Sequence, residues 1–161
     1  MTTDDLIDDV MNAPSTPSTP GSARLKRLLL TGAAGGLGHV LRQTLKPHAD
    51  HLRLSDIAEL APAQDGEETI RCDLADKAAV DGLTAGCDAI VHLGGISTEH
   101  PFEQILEANI RGVFHIYEGA RRHGVRRVVF ASSNHVIGFH PRSEALDADC
   151  AKRPDSYYGL S

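Results

Sequence analysis

Three glycines at a spacing of three, Gly32, Gly35 and Gly38, restrict this chain more than any other feature of its sequence. They sit in Thr31-Gly32-Ala33-Ala34-Gly35-Gly36-Leu37-Gly38, after the apolar run Arg27–Leu30 and at the head of a helix-like stretch, Gly36–Lys46, that Pro47 closes. A strand, a glycine turn and a helix in that order form a device for close approach. Gly32 permits the sharp turn, Gly35 lets a pyrophosphate lie against backbone, and Gly38 lets the helix pack tightly on the sheet. The free N–H groups and partial positive charge of the helix N-terminus, at Gly36 and Leu37, then face the phosphates. A glycine-rich turn with a purely structural purpose is the competing explanation. The strand before and the helix after are the context a dinucleotide site requires.

From Leu25 onward the same alternation continues. Leu52–Leu54 reads as a second strand ending at Asp56, Thr69–Cys72 as a third ending at Asp73, Ala89–Leu93 as a fourth and Arg127–Ala131 as a fifth. Between them lie helix-like stretches. Leu37, Val40, Leu41 and Leu45 form the expected inner face of the first, and Ala79, Val80 and Leu83 that of Lys77–Ala85. In Glu103–His123 the residues Leu106, Ile110, Val113, Tyr117 and Ala120 make an apolar stripe, with Gly124 as a natural cap. Strands alternating with helices predict an α/β fold: a doubly wound parallel (Rossmann) sheet of about five strands ordered 3-2-1-4-5. Ligands of such sheets bind at the carboxyl ends of the strands. The fifth strand is expected to present an uncovered edge carrying Val128 and Phe130.

Asp56 ends the second strand, 18 residues after Gly38. A carboxylate there accepts hydrogen bonds from both adenosine ribose hydroxyls and repels a 2′-phosphate, so the expected cofactor is NAD rather than NADP. Asp73-Leu74 ends the third strand, where the carboxylate can meet the adenine amino group or simply start a helix.

Composition narrows the remaining classes. Sixteen Lys+Arg against 22 Asp+Glu give a net charge of −6, which argues against nucleic acid or an anionic membrane as partner. No apolar run approaches the ~20 residues of a membrane helix. Cys72, Cys87 and Cys150 are odd in number and lack CxxC spacing, and the histidines form no HxH or HxxxH pair. The expectation is reduced thiols in a cytoplasmic protein without a metal site. Residues 1–24 stand apart. MTTDDLIDDV holds four aspartates and no basic residue, unlike a secretory or mitochondrial signal. A Pro/Ser/Thr-rich stretch with a repeated Ser-Thr-Pro follows. The whole segment is expected to be a disordered tail, with Met1 or Met11 as the true start.

TGxxGxxG, rather than GxGxxG, resembles the extended branch of the short-chain dehydrogenase/reductase superfamily, the NAD-dependent epimerases and dehydratases. Leu93-Gly94-Gly95 sits where that family has a small-residue turn over the cofactor. Asn109-Ile110-Arg111-Gly112 is similar to its N-x-x-G, whose Asn holds a water leading to the catalytic lysine. Ser132-Ser133 ends the fifth strand, where the catalytic serine lies, and Tyr158-Gly159-Leu160-Ser161 resembles the start of Y-G-x-S-K. The resemblance covers 25–161. Within this branch, His92 to Ser97, Pro101 to Leu106, Phe130 to His135 and Ile137-Gly138 resemble the uronate dehydrogenases, which oxidise C1 of galacturonate or glucuronate to an aldaro-lactone with NAD. That resemblance implies a substrate site of Ser97, Ser133, Asn134 and His135. For His135 a hydrogen-bonded core histidine, and for Ser97 a plain loop hydroxyl, remain the structural alternatives.

The implied catalytic set is Tyr158 as base, Ser133 as holder of the reacting oxygen, and Asn109. Tyr157 would need Lys at 161, which is Ser161; Tyr158 would need it one residue further on. Two expectations follow. The chain is the first five strands of a longer, homo-oligomeric enzyme, a fragment or the product of a broken gene, and is inactive by itself. The alternatives are a sugar-nucleotide epimerase or dehydratase, in which Tyr stands where this chain has Ile137, or a catalytically dead nucleotide-binding module.

Overall fold

A computed structural model describes residues 24–161. The tail expected over residues 1–24 lies outside the described residues, apart from Arg24, whose guanidinium reaches Lys46 O (3.1 Å) and Asp50 (3.2 Å).

Five strands, β1 (Leu25–Thr31), β2 (Ala49–Asp56), β3 (Glu67–Arg71), β4 (Ala89–His92) and β5 (Arg127–Phe130), form one parallel sheet in the order β3-β2-β1-β4-β5. This is the expected order. The chain leaves β1 for β2 on one side and returns for β4 on the other, so the strand order reverses at the carboxyl end of β1, beside the glycine turn. β1 alternates between two cores. Leu29 packs with Val80, Leu83, Ile90 and Ile116 on one face, while Leu28 and Leu30 pack with Leu52, Leu54 and Ala89 on the other.

The helices are α1 (Gly36–Thr44), α2 (Lys77–Thr84), α3 (Phe102–Ile105) and α4 (Gly112–His123), with a π-helical turn, Leu106–Arg111, joining α3 to α4. A short α5 (Tyr157–Leu160) carries the last residues. Pro47 opens a 3-10 turn, Lys46–His48, instead of merely stopping α1. Gly124 caps α4 in the left-handed conformation, as expected (φ 69°).

Three helix faces differ from the sequence expectation. In α1, Leu37 and Val40 are exposed (58% and 55%), and the buried row is Gly38 and Arg42, with Leu41 and Leu45 packed beside it. Arg42 is an unlikely core residue by composition. It is held by Glu67 through Nη2 (2.6 Å) and Nε, and by the carbonyls of Ala61 and Pro62. In α2, Ala79 faces solvent and Thr84 is buried, its hydroxyl donating to Val80 O. In α4 the buried row is Gly112, Ile116, Gly119 and Ala120, while Ile110 and Tyr117 of the expected stripe are exposed (37% and 45%). The π turn adds a residue to the helical repeat and rotates one register against the other. β5 pairs only with β4 among the described residues, and Val129 and Phe130 are exposed on it.

Candidate active site

At Gly32 the backbone turns with φ 69°, and a Cβ there would lie 2.7 Å from the Leu93 carbonyl carbon. Only glycine combines the left-handed turn with so close an approach to the loop after β4. At Gly38 a Cβ would collide with Gly32 O and Ala33, so α1 starts pressed onto its own turn. Gly35 and Gly36 are different. A Cβ at Gly35 would come no nearer than 3.4 Å to the chain, and at Gly36 it would meet nothing. Both line the main cleft, so what their missing side chains leave room for is a ligand rather than the protein.

That cleft has a volume of about 830 Å³ and runs along the carboxyl ends of the strands. Its floor is fixed by a buried polar pair. Thr31 Oγ1 accepts from Gly94 N–H (3.1 Å) and lies 2.6 Å from His92 Nδ1. Burial pushes the His92 imidazole down to about 4, so it is neutral at neutral pH, and its ring stacks on Phe130. Asp56 Oδ2 accepts from Ala34 N–H (2.9 Å) and Oδ1 from Ala58 N–H (3.0 Å), which ties the acidic end of β2 to the glycine turn. Asp73 accepts from Ala75 N–H, while the cap of α2 is Asp76. Leu74 fits between Gly94 and Gly112, where a Cβ on either would strike it.

Gly32, Gly35, Gly36, Leu37, Gly38, Asp56, Asp73, Leu74, Leu93, Gly94 and Gly95 all line this one cleft, together with Ser97, Asn109, Ser133 and Tyr158. These residues suit a dinucleotide: glycines and a helix start for phosphates, and carboxylates at the far end for ribose and adenine. Asn109 lies in the π turn and is nearly buried. Its Oδ1 accepts from Ile96 N–H (2.8 Å), and its Nδ2 donates to Ile96 O (3.0 Å) and Ser161 Oγ (2.9 Å).

A second, smaller cleft of about 390 Å³ opens beside the first, lined by Ser97, Thr98, Glu99, His135, Asp155, Ser156 and Tyr158. Ser97 and Tyr158 border both. Ser133 Oγ accepts from His135 N–H (3.2 Å) at the start of a 3-10 turn. Asn134, in that turn, is exposed and borders neither cleft. Tyr157 turns outward, half exposed, against Phe102.

Sequence reasoning passed over Glu99 and Asp155. Glu99 accepts from the N–H groups of Tyr157 (3.3 Å) and Tyr158 (2.9 Å), and so caps α5 from 58 and 59 residues away, a distance with no local signature. Asp155-Ser156 ahead of Tyr157 carries the usual helix-start pattern, and that signal was available.

Residues 28–161 match the model of the NAD dependent epimerase/dehydratase family. The chain is 65% identical over 152 residues to the uronate dehydrogenase of Pseudomonas syringae pv. tomato, covering 94% of this chain and 54% of that protein. With the uronate dehydrogenase of Pseudomonas putida it shares 66% identity over 136 residues, 84% of this chain and 51% of that one. The crystal structure of uronate dehydrogenase from Agrobacterium tumefaciens superposes with a TM-score of 0.82 at 58% identity, over 84% of this chain and 51% of that one. A mutant of that enzyme has been solved complexed with NAD. The chain thus spans about half the length of the relatives it matches.

Proposed function

The chain belongs to the NAD dependent epimerase/dehydratase family, and from that premise we propose that residues 25–161 are the NAD-binding part of an oxidoreductase acting on C1 of a free uronic acid. The substrate is galacturonate or glucuronate and the product an aldaro-lactone. The observation that supports this most is the meeting of the two clefts at Tyr158 and Ser97: one suits a dinucleotide, the other is lined by hydroxyls, carboxylates and an imidazole. The similarity to the uronate dehydrogenases of Pseudomonas syringae and Pseudomonas putida supports the substrate class.

NAD, when bound, accepts the hydride from C1. The residues of this chain do the rest. Gly32, Gly35, Gly36, Leu37 and Gly38 hold the pyrophosphate, Asp56 the adenosine ribose, Asp73 and Leu74 the adenine, and Leu93, Gly94 and Gly95 the wall facing the nicotinamide half. Tyr158 takes the proton of the C1 hydroxyl as base, Ser133 holds the reacting oxygen, and Asn109 keeps the polar path behind them. Ser97, Ser133 and His135 receive the sugar, and Asn134, which borders neither cleft, is left out of that set. A free tyrosine ionises near ~10, so a base of this kind needs an ammonium beside it. No lysine lines either cleft among the described residues.

The proposed enzyme is cytoplasmic and has a small-molecule sugar acid as partner, with neither nucleic acid nor membrane. It forms a homo-oligomer along the exposed Ile110, Phe114 and Tyr117 face. The deciding experiment uses a longer protein that contains this chain. It reduces NAD with free galacturonate or glucuronate. Turnover of a nucleotide sugar in their place would move it to the epimerase or dehydratase reading, against which Ile137 counts, and binding of NAD without any turnover would leave a nucleotide-binding module.

A further inference from the structure

Residues 133–139 and 153–159 run alongside each other without forming a sheet. Arg153 N–H donates to Val136 O (2.9 Å), Phe139 N–H to Arg153 O (3.0 Å) and Asp155 N–H to His135 O (3.3 Å). At the centre of this join sits the Asp155 carboxylate. Both its oxygens face His135 Nδ1, at 3.0 and 2.9 Å, and Oδ1 also accepts from the Ser156 hydroxyl (2.9 Å). Two glycines make room for it. A Cβ on Gly138 would collide with the Asp155 carboxylate, and one on Gly159 would collide with His135 O. The join closes only with small residues on both sides, and the imidazole it holds lies edge-on to the Tyr158 ring, centroids 5.5 Å apart. His135 Nε2 has no hydrogen-bond partner among the described residues.

A carboxylate only accepts hydrogen bonds, so the nitrogen against it carries the proton. The Ser156 hydroxyl, and after it His135, hold the Asp155 carboxyl below the usual carboxylate range, which keeps it ionised at neutral pH. With Nδ1 protonated, a neutral imidazole has its lone pair on Nε2. The cleft that His135 lines also contains Glu99 and Asp155. A cleft with two carboxylates and one imidazole is a poor seat for a third carboxylate and a good one for hydroxyl groups.

We propose that Asp155 is a positioning residue: it fixes the proton of His135 on Nδ1, so that Nε2 accepts a hydrogen bond from a sugar hydroxyl beside Tyr158. The substrate's own carboxylate then lies elsewhere. This rests on reading the second cleft as the sugar subsite, but its first test needs no sugar. In the 161-residue polypeptide with 15N-labelled histidine, long-range imidazole correlations at neutral pH show the Nδ1–H form at His135, identified by its loss in His135→Gln. Asp155→Ala moves His135 to the Nε2–H form that free imidazole prefers, while Ser156→Ala leaves it on Nδ1. The separate His92 signal reports that the fold is intact. Should Asp155→Ala lose that signal, the unmutated spectrum decides alone, and an Nε2–H form at His135 there overturns the proposal. So does an unmoved tautomer in a folded Asp155→Ala.

A second arm uses the longer enzyme with galacturonate and its methyl ester. Asp155→Ala raises KM about tenfold for both, the worth of one oriented hydrogen bond. A loss confined to the charged acid would place the carboxylate at His135 and overturn the hydroxyl assignment. Failure of the unmutated enzyme to use either compound would strike the proposed function and leave the tautomer result standing.

Discussion

Asp56 spends one carboxylate oxygen on the glycine turn, at Ala34 N–H, and the other on its own turn, at Ala58 N–H. Each oxygen has a further lone pair for a ribose hydroxyl. Two effects therefore separate by substitution. Asp56→Asn keeps an acceptor but loses the charge that repels a 2′-phosphate, so the preference for NAD over NADP narrows. Asp56→Ala also frees Ala34 and weakens NAD itself by about tenfold or more. Titration calorimetry with both nucleotides checks this, and NADP binding as tightly as NAD to the unmutated chain would refute the role. The two tyrosines separate as sharply. Tyr158 borders both clefts, while Tyr157 is 52% exposed against Phe102. In the longer enzyme Tyr158→Phe should abolish turnover with NAD binding nearly unchanged, and Tyr157→Phe should lower it less than twofold or so, given that surface substitutions cost little. Equal losses would show that Tyr158 is not the base. At this scale the sequence was most readable where backbone geometry dictates the residue, as at Gly32 and Gly38. It was least readable where a side chain acts at long range: nothing near Glu99 marks it as the cap of a helix almost sixty residues on.

Helix positions were legible, helix faces much less so. The sequence places a helix over Glu103–His123, and one is there, but its apolar stripe of Leu106, Ile110, Val113, Tyr117 and Ala120 assumes an unbroken repeat of 3.6 residues. The π turn breaks that repeat. It brings Asn109, a polar residue, into the buried row and turns Ile110 and Tyr117 outward. The cost of the irregular turn is offset by what Asn109 does there, pairing with both backbone groups of Ile96 and with Ser161. In α1, likewise, close approach at Gly38 rather than hydrophobicity sets the inner face. Burial of Arg42 depends on Glu67, which the strand pattern alone could not disclose. Asn109→Ala leaves Ile96 N–H and Ile96 O without partners, so it should lower stability by about 1–3 kcal/mol in urea unfolding. Amide exchange at Ile96 should accelerate more than at Ile90 in the core of the sheet. Equal acceleration at both sites would mean global destabilisation and no specific anchoring of the loop after β4.

At the scale of the whole molecule, His92 and Glu67 shape the response to acid among the described residues. His92 is fully buried and neutral, at about 4 instead of 6.5. The unfolded chain takes up that proton first, so stability is complete above about 6.5 and falls, by on the order of 3 kcal/mol, as the pH drops to 4. Burial alone would raise Glu67, but Arg42, Gln64 N–H and Lys46 outweigh it and bring it to about 2 against 4.5. Its contribution is present above 4.5 and is lost as the pH falls toward 2. In urea titrations at a series of pH values, His92→Leu should flatten the upper window and leave the lower decline; a slope that persists between 6.5 and 4 would show that another group causes it. The nucleotide cleft divides in the same global way. Everything assigned to the ADP half, from Gly32 to Gly38 with Asp56, Asp73 and Leu74, comes from β1, β2 and β3 and the segments that follow them. The end assigned to the nicotinamide half is bordered by Ser133 and Tyr158, with no lysine in the lining among the described residues. The 161-residue polypeptide should therefore bind NAD and ADP-ribose within about threefold of each other, less than the ~1 kcal/mol that one further neutral hydrogen bond would add. Given NAD and galacturonate, it should form no NADH, because among the described residues no lysine or arginine lines either cleft beside Tyr158 to favour a tyrosinate base. NAD binding more than tenfold tighter than ADP-ribose would show that the nicotinamide half is already held, and NADH formation by this polypeptide would show that Tyr158 works without the lysine.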